Sequence, residues 1–251
     1  MLKPIYRILF LIGACLFNGC LKLEQVINLR PDGSGSLDLK YNLAESSVNQ
    51  FRAMLQLRDR LAAARGGSAV SEFEHSLANR VFLNHSEEQV RNYLRTFEPD
   101  GIRVDTLRIQ STGGWRQTHL ILQFDNLQRA LQSDLMRDAR LSFRRDRQGD
   151  YRLYRPPENT STNQPLLMND ADIRMLSPML AGFNVSIRLN VPERIVRSNA
   201  HRKDATTVQW VFDFDRNPQA LTALQNQAFD TTFDGSKLNL AEYPPPASPK
   251  Q

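Results

Sequence analysis

Residues 21–43 read LKLEQVINLRPDGSGSLDLKYNL, and this stretch decides the fold. Leu21, Leu23, Ile27 and Leu29 fall at odd positions, with Lys22, Glu24 and Asn28 among the even ones, the period of a strand with one buried face. Arg30 to Gly35, RPDGSG, is turn chemistry: Pro presets φ, and Asp-Gly closes a tight reversal. Leu37, Leu39, Tyr41 and Leu43 then alternate again. The stretch is a β-hairpin.

Upstream of the hairpin, Met1 to Arg7 carries Lys3 and Arg7 and no acid, Ile8 to Phe17 is uncharged and mostly apolar, and Asn18-Gly19-Cys20 follows. A basic n-region, a short apolar h-region and a small residue at the cut make an export signal. It is too short for a comfortable membrane span. A cysteine directly after the small residue makes it a lipoprotein signal, cleaved between Gly19 and Cys20, with a diacylglyceryl group on the Cys20 thiol. Cys15 is the alternative acceptor, after Ile12-Gly13-Ala14, but it leaves a shorter h-region and strands Leu16 and Phe17 at the new terminus. An uncleaved anchor or ordinary secretion also stays open. With cleavage at Cys20, Cys15 leaves with the signal, and the mature chain holds neither disulfide nor free thiol. Two acyl chains, at ~0.8 kcal/mol per buried methylene, make attachment effectively permanent. Losing Lys3 and Arg7 lowers the formal charge from +5 to +3.

Downstream of the hairpin, Ser46 or Ser47 caps a predicted helix to about Ala64, broken by RGGS. Arg80–Asn84 reads as a short strand. Ser86-Glu87-Glu88-Gln89 is a capping box that opens a helix to about Phe97. Strands are predicted at Ile102–Ile109 and Trp115–Phe124, and Asp125 is the expected cap of a short helix carrying Leu127, Leu131 and Leu135. Leu141–Arg145 and Tyr151–Arg155 pair across DRQGD. A polar, proline-rich loop over 156–169 precedes a helix over Asp170–Leu180. Strands follow at Phe183–Val191, Arg194–Arg197 and Thr207–Phe214, then a helix near 218–227 and a last strand near Phe229–Phe233. Strands outnumber helices, and hairpins separate the helical segments. The fold class is therefore α+β, a largely antiparallel sheet with several short packed helices. It forms a single domain after the signal peptide: 1–19 signal, 20–240 domain, 241–251 a disordered proline-rich tail. Apart from the N-terminus, no apolar run reaches the roughly 18–20 residues of a membrane helix.

Few residues point to chemistry. His75, His85, His119 and His201 lack metal-ligand spacing, and no G-x-S-x-G elbow or phosphate loop occurs. Asp32, Ser34 and Ser36 alternate like part of a calcium loop without its later acid. Asp213 and Asp215 share a strand face, read as a solvated strand end with a cation site as the alternative. We assign no catalytic residue, no metal and no cofactor. The densest signal is Arg137 to Arg155, which holds seven arginines against three aspartates. Arginine forks match phosphate geometry. Arg137, Arg140, Arg144, Arg145, Arg147 and Arg152 are the candidate contacts to anionic headgroups, the alternative being a solvated hairpin. Nucleic acid is disfavoured as a partner, because an exported compartment holds little of it. Met168, Ile173, Met175, Leu176, Met179, Leu180 and Phe183 form a methionine-rich apolar set, read as core, with a lipid-accepting cavity as the alternative.

The hairpin directly after Cys20 resembles the start of envelope lipoproteins of the LppM type. LNVPERIVRSNAHRKDATTVQWVF (189–212) is similar to their second hallmark, carried by Val191, Pro192, Ser198, Asn199 and Trp210. The family pattern commonly has Gly where this chain has Glu193. Asp32, Gly33, Asn199 and Trp210 read as turn and core features. The resemblance implies an envelope protein with a lipid-binding domain and no established catalysis. The expectation is a lipid-anchored protein of the bacterial cell envelope, binding lipid or the membrane surface. In a Gram-negative cell it faces the periplasm from the outer membrane. The alternative is a subunit that scaffolds an envelope assembly, with an envelope protein as partner.

Overall fold

The computed structural model describes residues 21–45, 86–137, 139–157, 182–217, 219–238 and 240. Within these the hairpin forms as the alternation requires. β1 (Leu21–Leu29) and β2 (Gly35–Ala44) pair antiparallel, with Leu29 opposite Gly35 and Leu21 opposite Leu43. In the turn, Asp32 Oδ1 accepts hydrogen bonds from the Ser34 hydroxyl (2.7 Å) and the Ser34 backbone N–H (3.0 Å). Both bonds favour the carboxylate and hold Asp32 below the usual carboxylate range. Gly33 sits at φ +84°, a left-handed conformation that costs Gly nothing. Gly35 is needed for space: a Cβ there would lie 2.0 Å from the Asn28 carbonyl and 2.6 Å from the Phe124 ring. The alternating Asp32 and Ser34 thus close a turn on each other.

The described elements continue as α1 (Glu87–Arg95), a 3-10 turn (Glu98–Asp100), β3 (Ile102–Thr112), β4 (Trp115–Phe124), α2 (Leu127–Gln132), α3 (Asp134–Arg137), β5 (Ser142–Arg145) and β6 (Tyr151–Arg155). Then follow β7 (Asn184–Asn190), β8 (Ile195–Ser198), β9 (Arg202–Lys203), β10 (Thr207–Asp213), α4 (Ala220–Asn226) and β11 (Phe229–Phe233). The expected capping box is present: the Gln89 N–H donates to Ser86 Oγ (3.3 Å), and the Ser86 N–H donates to Gln89 Oε1 (3.0 Å). The helix ends two residues before the expected Phe97, where the 3-10 turn containing Pro99 begins. The cap of α2 is Asn126, not Asp125; its Oδ1 accepts from the Arg129 N–H (3.1 Å). Asp125 instead pairs with Arg103 across 2.7 Å. The segments predicted over 46–85 and 158–181 lie outside the described residues.

Among the described residues the strands form two sheets. The first has the order β3-β4-β2-β1-β7-β10-β9, and the second β5-β6-β11-β8. All pairs are antiparallel except β1 with β7, so the first sheet is mixed and the second fully antiparallel. The largely antiparallel α+β expectation holds. β1 therefore has a partner on each side, and the hairpin lies in the interior of the sheet.

The inner faces meet in one core. Ile27, Leu37, Leu39, Leu120, Leu122, Val185, Leu189, Val208 and Trp210 point inward from the first sheet, each under a tenth exposed. The second sheet contributes Phe143, Tyr151, Leu153, Phe229 and Phe233. Trp210 meets Phe229 across the gap at 5.1 Å between ring centroids, and truncating a ring so placed costs about 3–5 kcal/mol. Phe143, Tyr151 and Phe233 stack on one another at 5.1–6.2 Å. Val90 and Leu94 of α1 are buried in the same core. No helix of the described residues is long and apolar enough to cross a membrane.

Candidate anion-binding surface

The second sheet splits the arginine segment into two populations. Strand alternation turns Phe143, Tyr151 and Leu153 inward, so Arg144 and Arg152 stand opposite each other on the outer face. The DRQGD turn is closed by Asp146, whose Oδ1 accepts from the Gln148 N–H (2.8 Å) and the Asp150 N–H (3.0 Å), which leaves Arg147 exposed at the tip. Arg140 is exposed in the loop before β5, at the left-handed φ of 49°. Among the described residues, the side chains of Arg140, Arg144 and Arg147 have no hydrogen-bond or ion-pair partner. Arg137 pairs with Asp134, one turn away on α3.

The remaining arginines are structural. Arg152 forms a bidentate pair with Asp230, Nε to Oδ1 at 2.8 Å and Nη2 to Oδ2 at 2.9 Å, and its guanidinium lies 4.6 Å over the Tyr154 ring. The hydrogen bonds to Asp230 hold that guanidinium still more firmly protonated. Arg145 donates to the Gly149 carbonyl (3.2 Å) and covers Tyr151. Arg155, an inward position, lies 4.2 Å over Phe229 and donates to the Leu224 carbonyl at 2.9 Å.

One further arginine joins this surface from far along the chain. Thr232 is paired with Arg152 on one side and Arg197 on the other, so Arg144, Arg152, Thr232 and Arg197 form one row across four strands. Arg197 reaches Asp230 only at 4.0 Å and is two-thirds exposed. Its place in the row depends on β8 pairing with β11, which no local pattern encodes. The row carries three guanidinium groups against one carboxylate and suits an anionic ligand at the surface.

The interior offers less room. A cavity of about 180 Å³ lies between the sheets, lined by Ile27, Leu153, Ile187, Leu189, Trp210 and Phe229 among others. Ligand pockets run to roughly 300–1,000 Å³, so this space is too small for a whole lipid. Of the methionine-rich set only Phe183 is described, and it is core. Asp213 accepts from the Arg216 N–H (3.2 Å) and closes its own turn, while Asp215 accepts from the Gly182 N–H (2.8 Å), 33 residues earlier, and ties the end of β10 to the chain entering β7. His119 Nε2 lies 3.0 Å from Asp38, and His201 Nδ1 accepts from the Val211 N–H. Among the described residues, no three His, Cys, Asp or Glu are arranged to hold a metal ion. Gly19 and Cys20 lie outside the described residues.

Asn199 carries much of the joint between the sheets. Its Oδ1 accepts from the Trp210 indole N–H (3.2 Å) and the Asp230 N–H (3.0 Å), while its Nδ2 donates to the Ala228 carbonyl (2.7 Å). Its neighbour Ser198 shares a hydrogen bond with Thr231 at 2.9 Å. The Ser-Asn pair and the tryptophan eleven residues after Asn199 are thus one structural unit.

No family model matches the chain, and no curated protein does. Among solved structures, the chain is similar to the folded domain of LppM from Mycobacterium tuberculosis, determined by NMR. The TM-score is 0.40 at 12% identity, over 86% of this chain and 90% of that one. This is a weak likeness at the level of fold.

Proposed function

We propose that this chain is a non-catalytic lipoprotein of the bacterial envelope, anchored through Cys20, whose second sheet lays arginines against anionic headgroups. The observation that carries the reading is that β1 begins at Leu21. A lipid on Cys20 would sit one residue, ~3.3–3.6 Å of chain, from an interior strand of the larger sheet. The domain is then held against the bilayer with no stalk. Headgroup attraction falls off within a Debye length, about 8 Å at physiological salt, so such closeness is what lets surface arginines act. Arg140, Arg144 and Arg147 have no competing partner among the described residues. In a Gram-negative cell the anchor places the domain in the periplasm, on the outer membrane.

Metabolic labelling with a palmitate analogue tests the anchor. The wild-type chain is expected to take up label and fractionate with membranes. Cys20→Ala is expected to lose both. Equal labelling of the two chains would overturn the assignment.

A further inference from the structure

The outer face of the first sheet carries a polar groove, separate from the arginine row. Two adjacent cross-strand rows there are polar at every position. One runs Gln110, Gln117, Asn42, Lys22, Asn184, and the other Arg108, His119, Lys40, Glu24, Ser186. All ten residues line one groove of about 520 Å³. Five strands at ~4.8 Å spacing make it about 19 Å wide. The groove is within the size range of ligand sites, whereas the inter-sheet cavity is not.

The lining chemistry narrows the occupant. Four primary amides each present a donor and an acceptor side by side, the pattern that adjacent hydroxyls match. Lys22, Lys40 and Arg108 outnumber Glu24. Lys40 lies 3.6 Å from Asp38, while Lys22 and Arg108 have no side-chain partner among the described residues. Trp115, two residues before Gln117 on the same strand face, is half-buried and lies outside the groove lining. These rows offer no apolar anchor for a protein hot spot. A dense polyanion would demand more cations than three.

We propose that this groove binds a hydroxyl-rich glycan strand bearing scattered carboxylates, the amides taking its hydroxyls while Lys22 and Arg108 take its acids. The inference does not depend on the anchor or on the arginine row. It is tested by calorimetric titration of the purified full chain with hexagalacturonate methyl-esterified on alternate sugars, maltohexaose and a short polyphosphate. The site predicts saturable binding of hexagalacturonate, with a Kd below roughly 1 mM, and weaker binding of both other probes. Lys22→Gln with Arg108→Gln, and separately Gln117→Ala, should each weaken binding by about tenfold. Arg144→Gln with Arg147→Gln should leave it unchanged. Loss of folding is excluded by an unaltered melting temperature, expected because these are surface positions. No saturable binding of hexagalacturonate would overturn the proposal. So would polyphosphate binding as tightly as hexagalacturonate to the Arg144→Gln, Arg147→Gln chain, in which the second-sheet arginines are removed, or equal weakening of hexagalacturonate binding by that arginine variant.

Discussion

Replacing Asn199 by Ala tests how the two sheets are joined. The change deletes three hydrogen bonds, to the Trp210 indole, the Asp230 N–H and the Ala228 carbonyl. Each typical bond contributes about 0.5–1.5 kcal/mol net, and a buried donor left without a partner costs about 1–3 kcal/mol. Trp210 is only 2% exposed, so its indole N–H pays the larger figure. Asn199 itself is exposed, so water can reach the two backbone groups and softens their loss. The expected total is about 2–3 kcal/mol, with the indole the largest part. At about 2–4 °C per kcal/mol for a chain of this size, the melting temperature should fall by about 4–12 °C. A double-mutant cycle with Trp210→Phe, read by chemical denaturation, isolates the indole bond. The two substitutions should couple by about 1 kcal/mol or more. A single-mutant loss below about 0.5 kcal/mol, or strict additivity, would refute the assignment of Asn199 as the joint.

Other perturbations follow from particular contacts. Gly35→Ala should destabilise by about 1–3 kcal/mol or more, measured by denaturation, because the new methyl would overlap the Asn28 carbonyl, which is backbone and cannot swing aside. Asp32→Ala should lower the melting temperature at neutral pH. The folded Asp32 titrates below its ordinary 3.8, so its contribution is present above that value and fades as pH falls through the lowered one; the gap between the two chains should be constant at neutral pH and close only in acid. Changing Arg140, Arg144 and Arg147 together to Gln should weaken binding of the unlipidated Cys20→Ser chain to anionic vesicles roughly 100-fold, at ~1 kcal/mol per arginine, without affecting neutral vesicles. Asp230→Asn should strengthen that binding, since it removes the carboxylate that neutralises Arg152 in the row.

Local features were legible in the sequence because their causes are local. The alternation of Leu37, Leu39 and Tyr41, the Asp32-Gly33 turn and the Ser86–Gln89 box each depend on residues a few positions apart, and each folds as read. The cap of α2 was misplaced by one residue because Asp125 and Asn126 are equally good caps in isolation. Arg103, from the neighbouring strand, claims Asp125 and leaves the helix to Asn126. The candidate site was harder. Seven clustered arginines look alike in sequence, yet strand alternation and Asp230, 78 residues from Arg152, decide which are free. Arg197 and the two rows of the groove arise only when distant strands come into register, as β1 does with β7.

The central claim concerns the residue that begins the mature chain. Intact-mass and N-terminal fragment analysis of the protein purified from its own membranes tests it most directly. The account predicts a chain that starts at Cys20, carries a diacylglyceryl group on that sulfur, and continues with Leu21 at the first position of β1. A chain that starts elsewhere, or an unmodified Cys20, would contradict it.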